Sequence, residues 1–358
     1  MDKKFVMGIA AMAALTLVSC SSDDLDSVSD NSSKNEAISF DGYLGRSAVA
    51  VNGSRGSEVK IDQLKTGGFG VFGNYSKETT TAYGNSLFDN QQVTYDNDKS
   101  KWTYSPLKFW PSDGHIDFLA YAPYVKNTTL TEGSKINNFT VSKTIADQTD
   151  LLWTNATSSI SANLTSAKEK VKFQFHHALS RLGYKVKLND DYTGTTIKLN
   201  KITLAGSAPK DPLETAFYTK GTIDLSTGVW TPSTSDEKLN FEWFTNTSGT
   251  ELTTDATTNA VDNFLFVIPQ DFSASETDKL YVIVEYDVTY NGGTTIKNKV
   301  YKQLTTNFLQ GKAYNLNLTL GLPIEFDVDV TGGVDAGVDG WGTDEDINIG
   351  SNDNPWER

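Results

Sequence analysis

The stretch Tyr281-Val-Ile-Val-Glu-Tyr-Asp-Val-Thr-Tyr290, followed by Asn291-Gly292-Gly293 and then Ile296-Lys-Asn-Lys-Val-Tyr301, reads as two strands joined by a tight turn. Val282, Val284, Tyr286 and Val288 recur at a period of two, which places them on one face of an extended chain. Asn-Gly-Gly supplies the backbone freedom that a hairpin turn needs. Short apolar or alternating runs of this kind fill most of the sequence. Examples are Phe69-Gly-Val71-Phe72, Trp102-Thr-Tyr104, Ile116-Asp-Phe118-Leu-Ala-Tyr121, Val171-Lys-Phe173-Gln-Phe175, Thr196 to Leu204, Phe264 to Ile268 and Tyr314 to Leu320. Gly, Asn, Asp, Ser and Thr separate them. Helical signals are scarce, the best being a single turn at Ala178-Leu-Ser-Arg-Leu182. Strands spaced in this way predict an all-β chain built of sandwiches, not a parallel α/β sheet. The 358 residues accommodate two sandwiches in tandem, 38–190 and 191–358, parted near the turn-rich Asn189-Asp190-Asp191, with an acidic strand and tail closing the second.

Residues 1–19 have the layout of an export signal: Lys3 and Lys4, then the apolar run Phe5 to Val18, too short to span a bilayer as a helix. The run ends in Leu17-Val18-Ser19-Cys20, which resembles a bacterial lipobox. In lipoproteins of that pattern the signal is cut before the cysteine, and the cysteine carries the acyl chains. Cys20 is therefore the expected lipidation site, and several chains on one residue anchor stably. Residues 20–37, opening with Ser21-Ser22-Asp23-Asp24, are too polar to fold and read as a flexible acidic tether.

Composition narrows the chemistry. With 45 acidic against 31 basic residues, the net charge is −14, which disfavours a nucleic-acid partner. One cysteine excludes an internal disulfide and a thiolate-built zinc site. Histidine occurs only at 115, 176 and 177, and no Gly-x-Ser-x-Gly is present. His176 and His177 read as neighbours on opposite faces of one strand. Asp344-Glu-Asp346-Ile-Asn348-Ile-Gly350 begins like a calcium loop, but Ile349 stands where that loop requires glycine and no glutamate closes it. No metal, cofactor or catalytic residue is assigned, and the chain is expected not to be an enzyme. A secreted hydrolase would need two carboxylates about 5–10 Å apart in a cleft. Trp102, Trp110, Trp153, Trp230, Trp243 and Trp341 could stack on sugars, so a surface glycan-binding lipoprotein is the alternative function.

Arginine is rare: Arg46, Arg55, Arg181 and Arg358 only. The first two lie among small residues, in Gly45-Arg46-Ser47 and Ser54-Arg55-Gly56, as in a protease-accessible loop. Just before them, Ile38-Ser-Phe40-Asp-Gly-Tyr-Leu44 alternates as a strand with Ile38, Phe40 and Leu44 inward. A cut after Arg46 would detach that strand together with the anchor. Near the other end, Ile324-Glu-Phe326-Asp-Val328-Asp-Val330 has one wholly apolar and one wholly acidic face. Two readings of it stay open, an edge strand guarded by its charges or a strand that enters a groove elsewhere.

In order along the chain, the lipobox, the Ile38-Ser-Phe40 strand, Gly70-Val-Phe72-Gly, Lys108-Phe-Trp110-Pro, Phe118-Leu-Ala-Tyr121-Ala-Pro123, Asp150-Leu-Leu-Trp153, Phe175-His-His-Ala-Leu-Ser-Arg-Leu182, Gly311-Lys-Ala-Tyr314 and Trp341 resemble the fimbrillins, the type V pilins of Bacteroides-like bacteria. The resemblance implies two transthyretin-like β-sandwiches and export as a lipoprotein to the outer membrane surface. It further implies an arginine-specific protease that removes the first strand, at Arg46 or in reserve Arg55. A strand of a neighbouring fimbrial subunit would then fill the groove; Ile324, Phe326, Val328 and Val330 mark that donor here. The function so implied is a surface fimbria serving adhesion and biofilm, with host or bacterial surface ligands as further partners.

Overall fold

The computed structural model describes residues 37–44, 59, 61–111, 113–155, 170–208, 212–234, 238–258, 264–273, 278–322 and 325–335. Among these the chain is almost entirely strand, as expected, with one short helix, α1 (Ile61–Gly67), which the sequence reading did not anticipate. Strands are numbered in chain order.

The first sheet runs β1 (Phe40–Leu44), β9 (Val171–His177), β8 (Leu152–Asn155), β5 (His115–Ala122), β2 (Phe69–Ser76), β3 (Phe88–Asp96), β4 (Lys101–Thr103). It rolls until its ends meet. β1 pairs in parallel with β9 at one end. Ala37 bridges Phe109, and the Ile38 N–H reaches the Lys108 carbonyl at 2.8 Å, in the segment that leaves β4 at the other end. The interior is largely aromatic: Phe40, Phe69, Phe88, Trp102, Trp110, Phe118, Phe173 and Phe175 are all buried in one cluster with Val71, Val93 and Ile116.

A second core lies between two sheets packed face to face. One runs β15 (Thr257–Thr258), β10 (Ser180–Leu188), β21 (Lys312–Gly321), β22 (Glu325–Asp335), with β16 (Leu265–Val267) also on β10. The other runs β14 (Phe241–Glu251), β11 (Thr195–Ala205), β18 (Leu280–Tyr290), β19 (Thr295–Leu304). The hairpin read from Asn291-Gly-Gly293 is the β18–β19 turn, with Thr289 opposite Thr295. Val282, Val284, Tyr286 and Val288 face the core, as their spacing requires. Ile283, on the opposite face, is covered by Ala205 and Ala208, so that face of β18 is not wholly solvated.

The sequence reading placed Ser180–Leu188 in the first unit, ahead of a break near residue 190. In the structure this strand pairs in parallel with β21 along its length, and the chain passes between the sheet systems at Ala178-Leu179. The expected helical turn at 178–182 is absent because sheet and side-chain partners take its backbone groups. The Ala178 carbonyl accepts the Trp230 indole N–H at 2.6 Å, the Leu179 carbonyl accepts the Gly311 N–H at 2.9 Å, and Ser180 and Leu182 pair with β16.

A four-stranded antiparallel sheet ties the halves together. β6 (Leu130–Thr131) and β7 (Lys135–Thr140) of the earlier half pair with β12 (Lys220–Asp224) and β13 (Trp230–Pro232) of the later half. β17 (Gln270–Asp271) and β20 (Asn307–Phe308) form a small ribbon. A third apolar cluster takes Phe72, Leu119 and Tyr121 from one side and Phe266, Ile268 and Ala313 from the other. Gln148, buried next to the 3-10 turn Ile145–Asp147, accepts the Phe266 N–H at 2.8 Å and donates to the Ser142 carbonyl at 3.0 Å. Gln148→Leu removes both bonds, one of them to the buried Phe266 N–H, and is expected to destabilise the protein by about 1–3 kcal/mol in urea unfolding.

Candidate functional site

The alternation Ile38-x-Phe40-x-Gly42 turns three positions inward, and Ile38 and Phe40 are 1% and 3% exposed. Phe40 sits amid rings: Phe88 at 5.4 Å edge-on, Tyr104 at 5.2 Å, Phe118 at 5.7 Å edge-on and Phe173 at 5.6 Å stacked. Such ring pairs add to the area they bury. Gly42 leaves room for a neighbour. A Cβ there would lie 2.9 Å from the ring of Phe69, itself fully buried between Trp102, Phe173 and Phe175. Leu44 ends β1, opposite Phe175.

Polar groups fix the rim. β1 and β9 run in parallel register from Phe40 opposite Val171, and the Val171 N–H donates to the Ser39 carbonyl at 2.8 Å. The Tyr104 hydroxyl donates to the Ile38 carbonyl at 2.7 Å, and burial raises its pKa. Lys108, whose backbone carbonyl holds Ile38, lays its ammonium 4.7 Å over the Phe88 ring and donates to the Leu87 carbonyl. Burial lowers its pKa. Leu107 and Phe109 beside it are 57% and 50% exposed. β1 therefore lies in a trough walled by β9 and by 104–110 and floored with aromatic rings. Phe40→Ala is expected to destabilise the protein by about 3–5 kcal/mol, and Tyr104→Phe by about 1 kcal/mol, both measured by chemical denaturation of the uncut protein.

The segment read as either edge or donor strand is, in this structure, an edge strand of its own chain. β22 runs antiparallel to β21, with Phe326 opposite Leu320, Val328 opposite Leu318 and Val330 opposite Leu316. Phe326 and Val328 are buried, and Val330 packs partly against the same core. On the acidic face Asp327 meets Lys302 at 2.7 Å and Glu325 accepts from Asn189 at 2.8 Å, while Asp329 Oδ1 is enclosed without a hydrogen bond. Cys20, Arg46, Arg55, Ile324, Trp341 and the acidic tail lie outside the described residues.

The remaining chemical groups serve the fold. His177 is buried and His176 exposed, as their alternation required. His177 Nδ1 lies 2.7 Å from Asp150 Oδ2, which also accepts the Val59 N–H at 3.2 Å. His115 Nε2 lies 2.9 Å from Asp117 Oδ2, which takes the Ala82 N–H. Among the described residues no three His, Cys, Asp or Glu side chains are grouped to hold a metal, and no helix is long and apolar enough to cross a membrane. Trp102, Trp110 and Trp243 are buried against Phe69, Phe118 and Tyr184. Trp153 and Trp230 are half-buried beside His176 and Phe139.

Comparison with known proteins agrees with this architecture. A fimbrial protein from Bacteroides vulgatus superposes with a TM-score of 0.67 at 21% identity, over 86% of this chain and 99% of its own. Candidate cell adhesion proteins from Bacteroides uniformis and Bacteroides ovatus give TM-scores of 0.46 and 0.44, at 17% and 18% identity. They cover 82% and 87% of this chain and 98% and 99% of their own. No curated protein sequence matches the chain. A fimbrillin-like family profile matches residues 59–341, a span that takes in the second core and all of the first but Ile38 and Phe40. The chain belongs to the fimbrillin-like family.

Proposed function

We propose that this protein is a subunit of a surface fimbria serving adhesion and biofilm, assembled by exchange of its first strand. It reaches the outer membrane surface as a lipoprotein anchored through Cys20, and an arginine-specific protease cuts after Arg46, or failing that Arg55. The observation that carries this reading is β1 itself. It is a five-residue strand closing an aromatic trough, and it ends two residues before Arg46.

The energetics support removal by cutting. Burying Ile38 and Phe40 stabilises by about 1.5–3 kcal/mol each. While the chain is intact, the 45–58 connection keeps β1 and its trough in one molecule, so closing the trough is an intramolecular event. Cutting makes β1 a separate ligand, which must then offset roughly 4–15 kcal/mol of lost freedom to stay bound. A strand from a neighbouring subunit can then take its place. Groove and donor on opposite ends of one chain form a head-to-tail contact that need not close. The Ile324–Val330 segment is the donor in this scheme, and other fimbrial subunits are the partners. No catalytic step is assigned to the chain.

Glycan binding has less behind it, since the described tryptophans pack against other rings and form no exposed pair. The test is limited arginine-specific proteolysis of the soluble protein lacking its lipid. One cut at Arg46 or Arg55, followed by detergent-resistant ladders on gels, is the expected result, and a variant with both arginines changed to Ala should give neither. Cutting without ladders, even at high protein concentration, would contradict self-polymerisation.

A further inference from the structure

We propose that the trough selects its incoming strand by glycine. In that case the occupant from a second copy of this chain is the segment beginning at Val328, in one register only, with Val328 where Ile38 lies and Gly332 where Gly42 lies. This rests on the strand-exchange reading above and shifts its donor from Ile324–Val330 to Val328–Val334, which leaves Ile324 and Phe326 outside the trough.

The constraint comes from Phe69. Its ring fills the space that a side chain at position 42 would occupy, with 2.9 Å to a Cβ there, and Trp102 at 4.8 Å and Phe175 at 5.4 Å hold it. A replacement strand must therefore carry glycine at its third inward position, or force a fully buried ring to move. The 325–335 segment is tested against this directly. Its odd positions hold Glu325, Asp327 and Asp329, which excludes that face from an apolar trough. On the even face, Phe326, Val328, Val330, Gly332 and Val334, the single glycine is Gly332.

Placing Gly332 on Gly42 fixes the rest. Val328 takes the Ile38 site, Val330 the Phe40 site and Val334 the position of Leu44. Asp329 takes the exposed Ser39 position and Thr331 the half-buried Asp41 position. The bulkier alternative, Phe326 on Phe40, drives Val328 into the Phe69 ring. The present seat of β22 is also compatible with exchange. As the end strand of its sheet it is hydrogen-bonded along one side, to β21, and there it encloses Asp329 Oδ1 without a partner. Gly332 has φ 109° in that seat and must become extended in the trough, a change that glycine makes freely.

Val330 is smaller than the Phe40 it replaces, so the trough is underfilled at that point. The experiment follows from this. The soluble protein is trimmed with the arginine-specific protease in the presence of synthetic peptides, and their retention is measured by native mass spectrometry and competition. The chain's own strand, residues 37–44, is the reference. The peptide Phe326–Asp335 is expected to bind. Its Gly332→Val form should bind on the order of tenfold more weakly or worse, with binding restored on a Phe69→Ala protein, and its Val330→Phe form should bind more tightly than the parent. Equal binding of the parent and Gly332→Val peptides would overturn the register. So would retention of 37–44 with no binding of Phe326–Asp335, although the trough reading would then survive. Failure of both 37–44 and Phe326–Asp335 to bind, with trimming at Arg46 confirmed by mass, would instead remove the trough reading. Should Phe69→Ala not fold, the Gly332→Val and Val330→Phe peptides on the unaltered protein decide the matter.

Discussion

The packing of one ring, Phe40, among Phe88, Tyr104, Phe118 and Phe173 holds the first half of this protein closed. Those four residues come from three strands and the segment after β4, so the rolled sheet converges on a side chain that is not contiguous with the rest of its core. β1 is joined to that core by a parallel ladder on one side and a bridge on the other. The intervening chain, from 45 to 58, contains both early arginines. A core completed by a strand of this kind differs from one completed by a central strand. Removal exposes a prepared surface, with its polar rim in Tyr104 and Lys108 already arranged.

The second half shows the complementary property. Its edge strand β22 is apolar inward and acidic outward, and acids on an exposed edge oppose unspecific pairing. In the proposed exchange the same acids are what keep that face out of the trough. The shared antiparallel sheet and the cluster around Phe72 and Phe266 lock the two halves to each other. The joint itself is held by backbone hydrogen bonds at Ala178 and Leu179.

Much of this was legible in the sequence because period-two alternation is a local signal. The β18–β19 hairpin, the inward Ile38 and Phe40, and the split between His176 and His177 all follow from it. The passage between the halves was not legible. Ser180–Leu188 is an ordinary strand by pattern, and only its parallel partner β21, more than a hundred residues later, assigns it to the second core. Separation along the chain likewise hid the pairing of β7 with β12. Helix α1 escaped because seven residues with one buried leucine carry no periodic signal. Gly42 was read only as part of the Ile38–Leu44 strand; its role depends on the ring of Phe69, which no local pattern reveals.

The central claim is that β1 is a separable plug: its loss opens the first trough and leaves the rest folded. Amide hydrogen exchange on protein trimmed at Arg46, compared with intact protein, tests this most directly. The account predicts faster exchange along Val171–His177 and the 104–110 wall, with protection unchanged in β11, β18 and β21. Loss of protection throughout the chain, or no change along β9, would contradict it.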